Sequence, residues 1–257
     1  VTAVPHLIVA ANELCRPETA DQARALLREA DALFQEHGAA TPADDRWRWS
    51  VMLAKARIRL ALAVRDLRGL DTASQALLTL GTESAHLPTL KFAIETRMTL
   101  SYERNDWDGL LKHAHARLLL DRDHPSADAR GLELWARGEA EAAHGNPDTA
   151  LEVLAEGLTL ADRPRPAVMA RLARAQAELM VAVGWGREAR VAVDDYALHA
   201  RSSDDPADIA RARLLACAVA RLEARPEVAL VDVRRAAREL QGEQRRGVDT
   251  RVELELA

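Results

Sequence analysis

Two histidines near the middle of the chain, His113 and His115, are the residues whose type and closeness first suggest a metal site. They fall on a predicted helix, where residues two apart point about 200° away from one another. Two such side chains do not chelate a single ion, and His124 lies beyond the end of the same predicted helix. The sequence therefore predicts neither a metal site nor a metal cofactor.

Carboxylates and thiols do not form a catalytic set either. Glu139 and Glu141 are two apart on a predicted helix and so lie on opposed faces. Cys15 and Cys217 are far apart, match no CxxC or zinc spacing, and are expected to be reduced thiols in the core. None of the HExxH, GxSxG, P-loop or GxGxxG motifs occurs. Because catalysis needs a nucleophile, a base and orienting groups within mutual reach, we predict a protein that is not an enzyme and uses no cofactor.

The composition indicates that helices carry these residues. Ala, Leu and Arg, which are strong helix formers, are abundant, whereas aromatic residues make up only 4% of the 257 residues. Continuous β-rich runs bounded by turn residues are missing. A core built mostly from Leu, Ala and Val suits closely packed helices, so the sequence predicts an all-α fold.

Three stretches share a local pattern that marks the start of a helix. Residues 16–20, 146–150 and 225–229 each hold a Pro followed by an acidic residue, and an apolar run comes next. Pro fits the first turn of a helix because its missing N–H has no partner there. The acidic residue complements the positive end of the helix dipole.

The spacing of these helix starts predicts an internal repeat. The small or apolar residues that open successive second helices are Leu110, Ala150, Ala189 and Ala229, and they are separated by 40, 39 and 40 residues. Unrelated helices would not keep step over four units. Matches before residue 90 are weaker and irregular in spacing.

Each unit divides into two helices joined by a short turn. The predicted pairs are 4–15 with 18–36, 46–66 with 71–80, 87–103 with 107–120, 127–144 with 147–161, 167–183 with 187–201, and 206–224 with 227–241. Residues that break helices, such as those of the stretches 81–88 and 162–166, fall between these pairs. We expect residues 1–245 to form one repeat domain and 246–257 to be a capping helix, a tail or a linker to an output domain.

One unit carries the specific features of a known repeat. It has a small residue in its first helix, a Gly at the turn, an Ala early in its second helix, a bulky residue four positions later and a terminal Pro, at Gly138, Gly145, Ala150, Leu154 and Pro164. Trp107 takes the position that Tyr usually holds in the preceding unit. The chain thereby resembles the tetratricopeptide-repeat (TPR) family. The period of about 40 residues is longer than the 34 residues usual in this family. A longer period is typical of the divergent, long-helix repeats of bacterial regulatory proteins, and HEAT-like repeats are the alternative.

The resemblance implies a right-handed superhelical α-solenoid of about six antiparallel helix pairs, whose first helices line a concave groove. Carrying the family's groove-facing positions onto this sequence gives Lys55, Arg65, Phe92, Glu95, Tyr102, Trp135, Glu139, Arg171, Arg174, Glu178, Arg211 and Arg221. Arg, Trp and Tyr are enriched at binding hot spots, so such a groove favours an acidic, amphipathic protein segment. The alternative is that the charges form an ordinary solvated face and the aromatic rings belong to the core.

Charge weighs against nucleic acid as the partner. The net charge is -5, whereas nucleic-acid-binding domains usually carry a basic excess. One basic stretch, residues 46–66, holds six Lys or Arg against one acid, and its alternative interpretation is a solvated helix face with arginine stems lying on apolar surface.

These observations favour a non-catalytic protein- or peptide-binding module, the sensor or interaction arm of a bacterial signalling or transcription regulator. A standalone scaffold or self-associating adaptor is the alternative, followed by a nucleic-acid-binding solenoid and a helical enzyme. The sequence contains no run of 18 apolar residues, and residues 7–11 lack the basic flank of a signal peptide. We therefore expect no membrane span and a cytoplasmic location; the oligomeric state stays open.

Overall fold

The computed structural model of the chain describes residues 3–37, 40–121, 125–203, 206–225, 227–228, 231 and 234. Over this part of the chain the regular elements are all helical, and strands do not occur. The prediction of an all-α fold is confirmed. The second helix of the last predicted pair, 227–241, falls largely outside the described residues, and the segment 246–257 falls outside them entirely.

Eleven α-helices and one short 3-10 helix, at Pro17–Thr19, make up the described part of the chain. The α-helices are α1 (Ala3–Glu13), α2 (Ala20–His37), α3 (Ala43–Ala63), α4 (Leu67–Glu83), α5 (Leu87–Glu103), α6 (Trp107–Leu119), α7 (Ala127–Ala143), α8 (Pro147–Leu158), α9 (Pro166–Val183), α10 (Gly186–Ser203) and α11 (Pro206–Leu222).

The chain divides into two compact units, Val1–Asp106 and Trp107–Ala257. In unit 1, α1 packs against α2 and α3, α2 packs against α3, α3 against α4, and α4 against α5. One part of its core joins Ile8 and Leu27 to Leu53, and another joins Ile58 to Leu77. Helix α3 contributes to both parts along its whole length, because residues of the two parts alternate in its sequence.

In unit 2, α7 and α9 each pack against several other helices. Helix α7 packs against α6, α8 and α9, and α9 packs in turn against α8, α10 and α11. Alanines at positions 170, 173 and 177 line one face of α9, and the fully buried ring of Tyr196 on α10 lies in the same cluster. Short side chains at this interface let the helix backbones approach closely, as the low aromatic content predicts.

A glycine allows α7 and α8 to pack closely. A Cβ placed on Gly138 of α7 would lie 2.5 Å from Cγ of Leu154 on α8, so only a residue without a side chain fits there. Leu110, Ala150 and Ala189 are all fully buried, as expected for residues that open the second helix of each unit.

A left-handed backbone turn recurs with the period of the repeat. Positive φ angles occur at Arg65, Asn105, Gly145, Gly184 and Ala224, in steps of 40, 40, 39 and 40 residues, and also at Ala85, which lies 20 residues from both Arg65 and Asn105 in the turn between α4 and α5. The amide N–H of each following residue donates to a carbonyl five positions earlier, at N···O distances of 2.8–3.1 Å. This is the bond that closes a helix end around a left-handed residue.

The turn at Arg65 corrects two predictions for the first half of the chain. Helix α3 was expected to run to residue 66 and its partner to begin at 71, but α3 ends at Ala63 and α4 begins at Leu67. The reason is that the Asp66 carboxylate accepts a hydrogen bond from the Gly69 amide at 2.9 Å and caps α4. The stretch 81–88 was also expected to be a break, yet Gly81 lies inside α4, buried beside Leu90.

Candidate functional site

The candidate site in unit 2 lies on α7, α9 and α11, which pack in succession. Arg171, Arg174 and Glu178 are three and four residues apart on α9, so their side chains share one face of that helix. Trp135 and Glu139 are four apart on α7, and Arg211 lies on α11. The structure brings these six predicted residues together.

Trp135 is held from both sides in this arrangement. Its indole Nε1 donates to Oε1 of Glu139 at 3.0 Å, and Cζ of Arg171 lies 5.2 Å from the ring centroid. The residue is only 1% exposed, so its ring belongs to the core. The prediction that Trp135 faces a partner directly is therefore corrected. The buried indole ring instead stabilises the position of Arg171 through a cation–π contact.

A network of charges connects α9 to α11. Nε of Arg174 lies 3.9 Å from Oε1 of Glu178, and Nη1 of Arg211 lies 3.5 Å from the same oxygen. Nη1 of Arg174 also lies 4.0 Å from Oδ1 of Asp208. That oxygen accepts a hydrogen bond of 2.7 Å from the buried hydroxyl of Tyr196 on α10. We call Glu139, Arg174, Glu178, Tyr196, Asp208 and Arg211 the polar network.

Exposure differs among the charged side chains of the polar network. The side chains of Arg174, Glu178 and Arg211 are 16%, 31% and 37% exposed, respectively. Arg174 is therefore mostly buried and links α9 to α11. Arg211 is more exposed, and it can exchange its intramolecular partner for a ligand at little cost, because exposed ion pairs contribute only about 0–1 kcal/mol.

The carboxyl of Glu139 is the group whose protonation responds to this environment. Burial raises its pKa to about 7, and the nearby Glu178 carboxylate acts in the same direction. The cations of Arg174 and Arg211 and the hydrogen bond from Trp135 lower the pKa, but they do not offset the burial. Near neutral pH the network therefore alternates between two charge states.

Tyr196 has a perturbed hydroxyl for related reasons. Burial raises its pKa, and the charge of Asp208 and the hydrogen bond to it raise the pKa further. The hydroxyl stays protonated and fixes Asp208 in place at the start of α11. The tyrosine thus positions a charged residue rather than reacting itself.

Arg221, the remaining predicted residue of unit 2, is not part of the polar network. It lies exposed in the last turn of α11, ten residues beyond Arg211, which corresponds to about 15 Å along the helix.

In unit 1, two of the predicted residues make a close contact between helices. Nζ of Lys55 on α3 lies 5.2 Å from the ring centroid of Phe92 on α5. Glu95 and Tyr102 lie half-buried on the same α5. Arg65 is not on a helix at all: it occupies the left-handed turn after α3, and Nη2 lies 3.8 Å from Oε2 of Glu103.

The basic stretch 46–66 does not present a single basic edge. Arg57 forms an ion pair with Asp31 of α2, Arg65 pairs with Glu103, and Lys55 lies over the Phe92 ring. Half of its six cations are thus engaged inside unit 1. This arrangement fits the interpretation of a solvated, internally paired helix.

Two members of the polar network were not predicted from the sequence. Asp208 was interpreted only as an acidic residue of a helix start, although its three-residue spacing from Arg211 places both on one face. Tyr196 had one signal, since a buried tyrosine hydroxyl needs a partner, but nothing in the sequence identifies that partner as Asp208.

Among the described residues, no group of three or more His, Cys, Asp or Glu side chains is placed to hold a metal ion. Of the helices in this part of the chain, none has the length and apolar character that crossing a membrane requires. No protein-family model matches the chain, and no curated protein matches it significantly in sequence.

Proposed function

We propose that the chain is a non-catalytic module that binds an acidic segment of another protein, and that the face of α7, α9 and α11 in unit 2 is the binding surface. The observation that carries the proposal is the placement of three arginines, Arg171 and Arg174 on α9 and Arg211 on α11, on two helices that pack against each other. Arginines beside aromatic rings are the residue types that dominate binding energy at protein interfaces.

The state of each arginine supports this assignment. Arg171 is fixed over a buried indole ring, so it loses little conformational freedom when a ligand binds. Arg211 is anchored to Glu178 at one nitrogen and keeps more than a third of its side chain exposed. A guanidinium binds a carboxylate through two parallel hydrogen bonds, so a segment with two acidic residues fits this pair.

A capture experiment with matched variants tests the proposal. Tagged wild-type protein is compared with the double variant Arg171→Gln plus Arg211→Gln in a lysate of the source cells, and captured proteins are quantified by mass spectrometry. Glutamine keeps most of the side-chain length but removes both charges. We expect the specifically captured proteins to fall at least about tenfold, which corresponds to about 1.4 kcal/mol.

The control removes the same number of charges from another helix of unit 2. Arg187 and Arg201 lie exposed on α10, and Arg187→Gln plus Arg201→Gln should leave capture unchanged. Circular dichroism and thermal melting confirm that all variants remain folded. Equal capture by both double variants, or no specific capture by wild type, would contradict the proposal.

A further inference from the structure

Two cavities that share part of their lining lie in unit 1. Their volumes are about 450 Å³ and 610 Å³, and Ala54, Arg57 and Ala76 line both. Helix α3 forms the floor, while α2 and α4 form the two walls. We call the two cavities together the α2–α4 trough.

The floor of the α2–α4 trough is apolar and is divided by one ion pair. Leu60, Ala61 and Val64 line the first compartment, and Leu53 and Phe34 line the second. Between them, Arg57 of α3 pairs with Asp31 of α2. A ligand that lies along the trough therefore meets two apolar compartments separated by a polar bridge.

The dimensions of the α2–α4 trough fit a helix. Its lining residues are spread from Arg24 to Gln35 on α2 and from Arg68 to Leu80 on α4, a rise of about eleven or twelve residues along each wall. At 1.5 Å per residue this is about 16 Å, or three helical turns. Since the residues of α4 that line the two compartments are centred about two turns apart, a docked helix would place one apolar side chain in each at a spacing of about seven residues.

The charged residues that line the first compartment favour a negatively charged ligand. The first compartment is lined by Arg24, Arg57 and Arg68 but by only one acid, Asp66. The Asp66 carboxylate already accepts a hydrogen bond from the Gly69 amide. Arg24 pairs with Asp21, which is 96% exposed, so a ligand carboxylate can displace that partner at little cost.

From this geometry we infer that the α2–α4 trough is a second docking surface, and that its ligand is an acidic amphipathic helix of a partner protein. The helix places two apolar residues in the compartments and a carboxylate beside Arg24 and Arg68. Apolar anchors with a charged flank are the usual mode of helix-in-groove recognition. The inference does not depend on the proposed function, because it uses the face of α3 opposite Lys55.

A displayed library of helices tests the inference. Peptides of about 18 residues, randomised on one face among Leu, Phe, Ala, Ser, Glu and Lys, are selected on the full chain and counter-selected on Ala76→Trp. Ala76 is exposed and lines both compartments, so a Trp there fills the α2–α4 trough without entering the core. We expect enrichment of sequences with two apolar residues about seven apart and a Glu beside one of them.

Binding of one enriched synthetic peptide is then measured by fluorescence anisotropy. Ala76→Trp and Arg68→Glu should each weaken it at least about tenfold. The matched controls Thr82→Trp on α4 and Arg59→Glu on α3, both exposed and outside the lining, should leave it unchanged, as should Arg211→Gln in unit 2. Heparin, an anion without apolar groups, should compete poorly.

Several results would overturn the inference. These are the absence of enrichment, binding that neither Ala76→Trp nor Arg68→Glu weakens, equal selection of Lys in place of Glu, and full displacement by heparin. The last result would identify a purely electrostatic surface for polyanions.

Discussion

At the scale of single residues, the carboxyl of Glu139 makes the stability of the protein depend on pH. Its pKa is about 7 in the folded chain, against an ordinary value of 4.5. Between these values the folded state keeps the proton that the unfolded state releases. The contribution of this group to the free energy of unfolding therefore falls as pH rises from about 4.5 to about 7, and is constant above that.

The variant Glu139→Gln removes this dependence while keeping the acceptor for Trp135 Nε1. We expect its free energy of unfolding, relative to wild type, to rise across that window by about 1–3 kcal/mol. Urea unfolding at a series of pH values measures the difference. Glu152→Gln, which removes an exposed carboxylate on α8, is the control for the loss of one charge. A difference between Glu139→Gln and wild type that stays flat from pH 4.5 to 7 would contradict the assignment.

At the scale of elements, the contact between α7 and α8 depends on a missing side chain. A Cβ on Gly138 would meet Cγ and Cδ2 of Leu154 at 2.5 Å and 2.6 Å. Leu154 is fully buried and cannot turn outwards. We expect Gly138→Ala to lose about 1–3 kcal/mol by overpacking, offset by about 1 kcal/mol of helix propensity, and so to lower the Tm.

Gly186→Ala is the matched control for this substitution. A Cβ on Gly186 of α10 would have its nearest neighbours at 3.7 Å, an ordinary van der Waals distance. Its Tm should equal or slightly exceed that of wild type in differential scanning calorimetry. A Gly138→Ala protein that melts as high as wild type would show that α7 and α8 separate easily.

Helix starts were predictable where the local chemistry is explicit. The prolines at 147 and 206 lie at the first positions of α8 and α11, as the sequence predicts. The boundary between α3 and α4 was not predictable in this way, because Arg65 adopts a φ of 55° without being a glycine. The signal present there was Asp66, an N-cap residue four positions before the buried Leu70.

The candidate site was predictable only as far as helix periodicity reaches. Spacings of three and four place Arg174 and Glu178 on one face of α9, and the structure agrees. Whether a ring on such a face points outwards or into the core depends on the neighbouring helix, and this is why Trp135 was misplaced. The contact of Tyr196 with Asp208 joins α10 to α11, and it follows from tertiary packing alone.

At the scale of the whole molecule, net charge predicts that generic nucleic acid is not a ligand. The chain carries 35 basic and 40 acidic residues, a net charge of -5. In the basic stretch 46–66, Arg57 forms an ion pair with Asp31 and Arg65 forms one with Glu103. Sequence-independent binding to DNA or RNA comes almost entirely from cations that neutralise phosphates. Because some of the cations of this stretch are already in ion pairs, we expect it to bind nucleic acid poorly.

Fluorescence anisotropy with a mixed-sequence duplex and a single-stranded RNA at about 50 mM salt, where phosphate contacts are strongest, tests this prediction. We expect no binding at micromolar protein. Binding that weakens steeply as salt rises would contradict it. In that case Arg46→Glu plus Arg48→Glu, exposed at the start of α3, would locate the contact, because removing phosphate-binding cations lowers both the affinity and its salt dependence. An affinity unchanged by that reversal would place the contact elsewhere on the chain and leave the protein-binding proposal for unit 2 untouched.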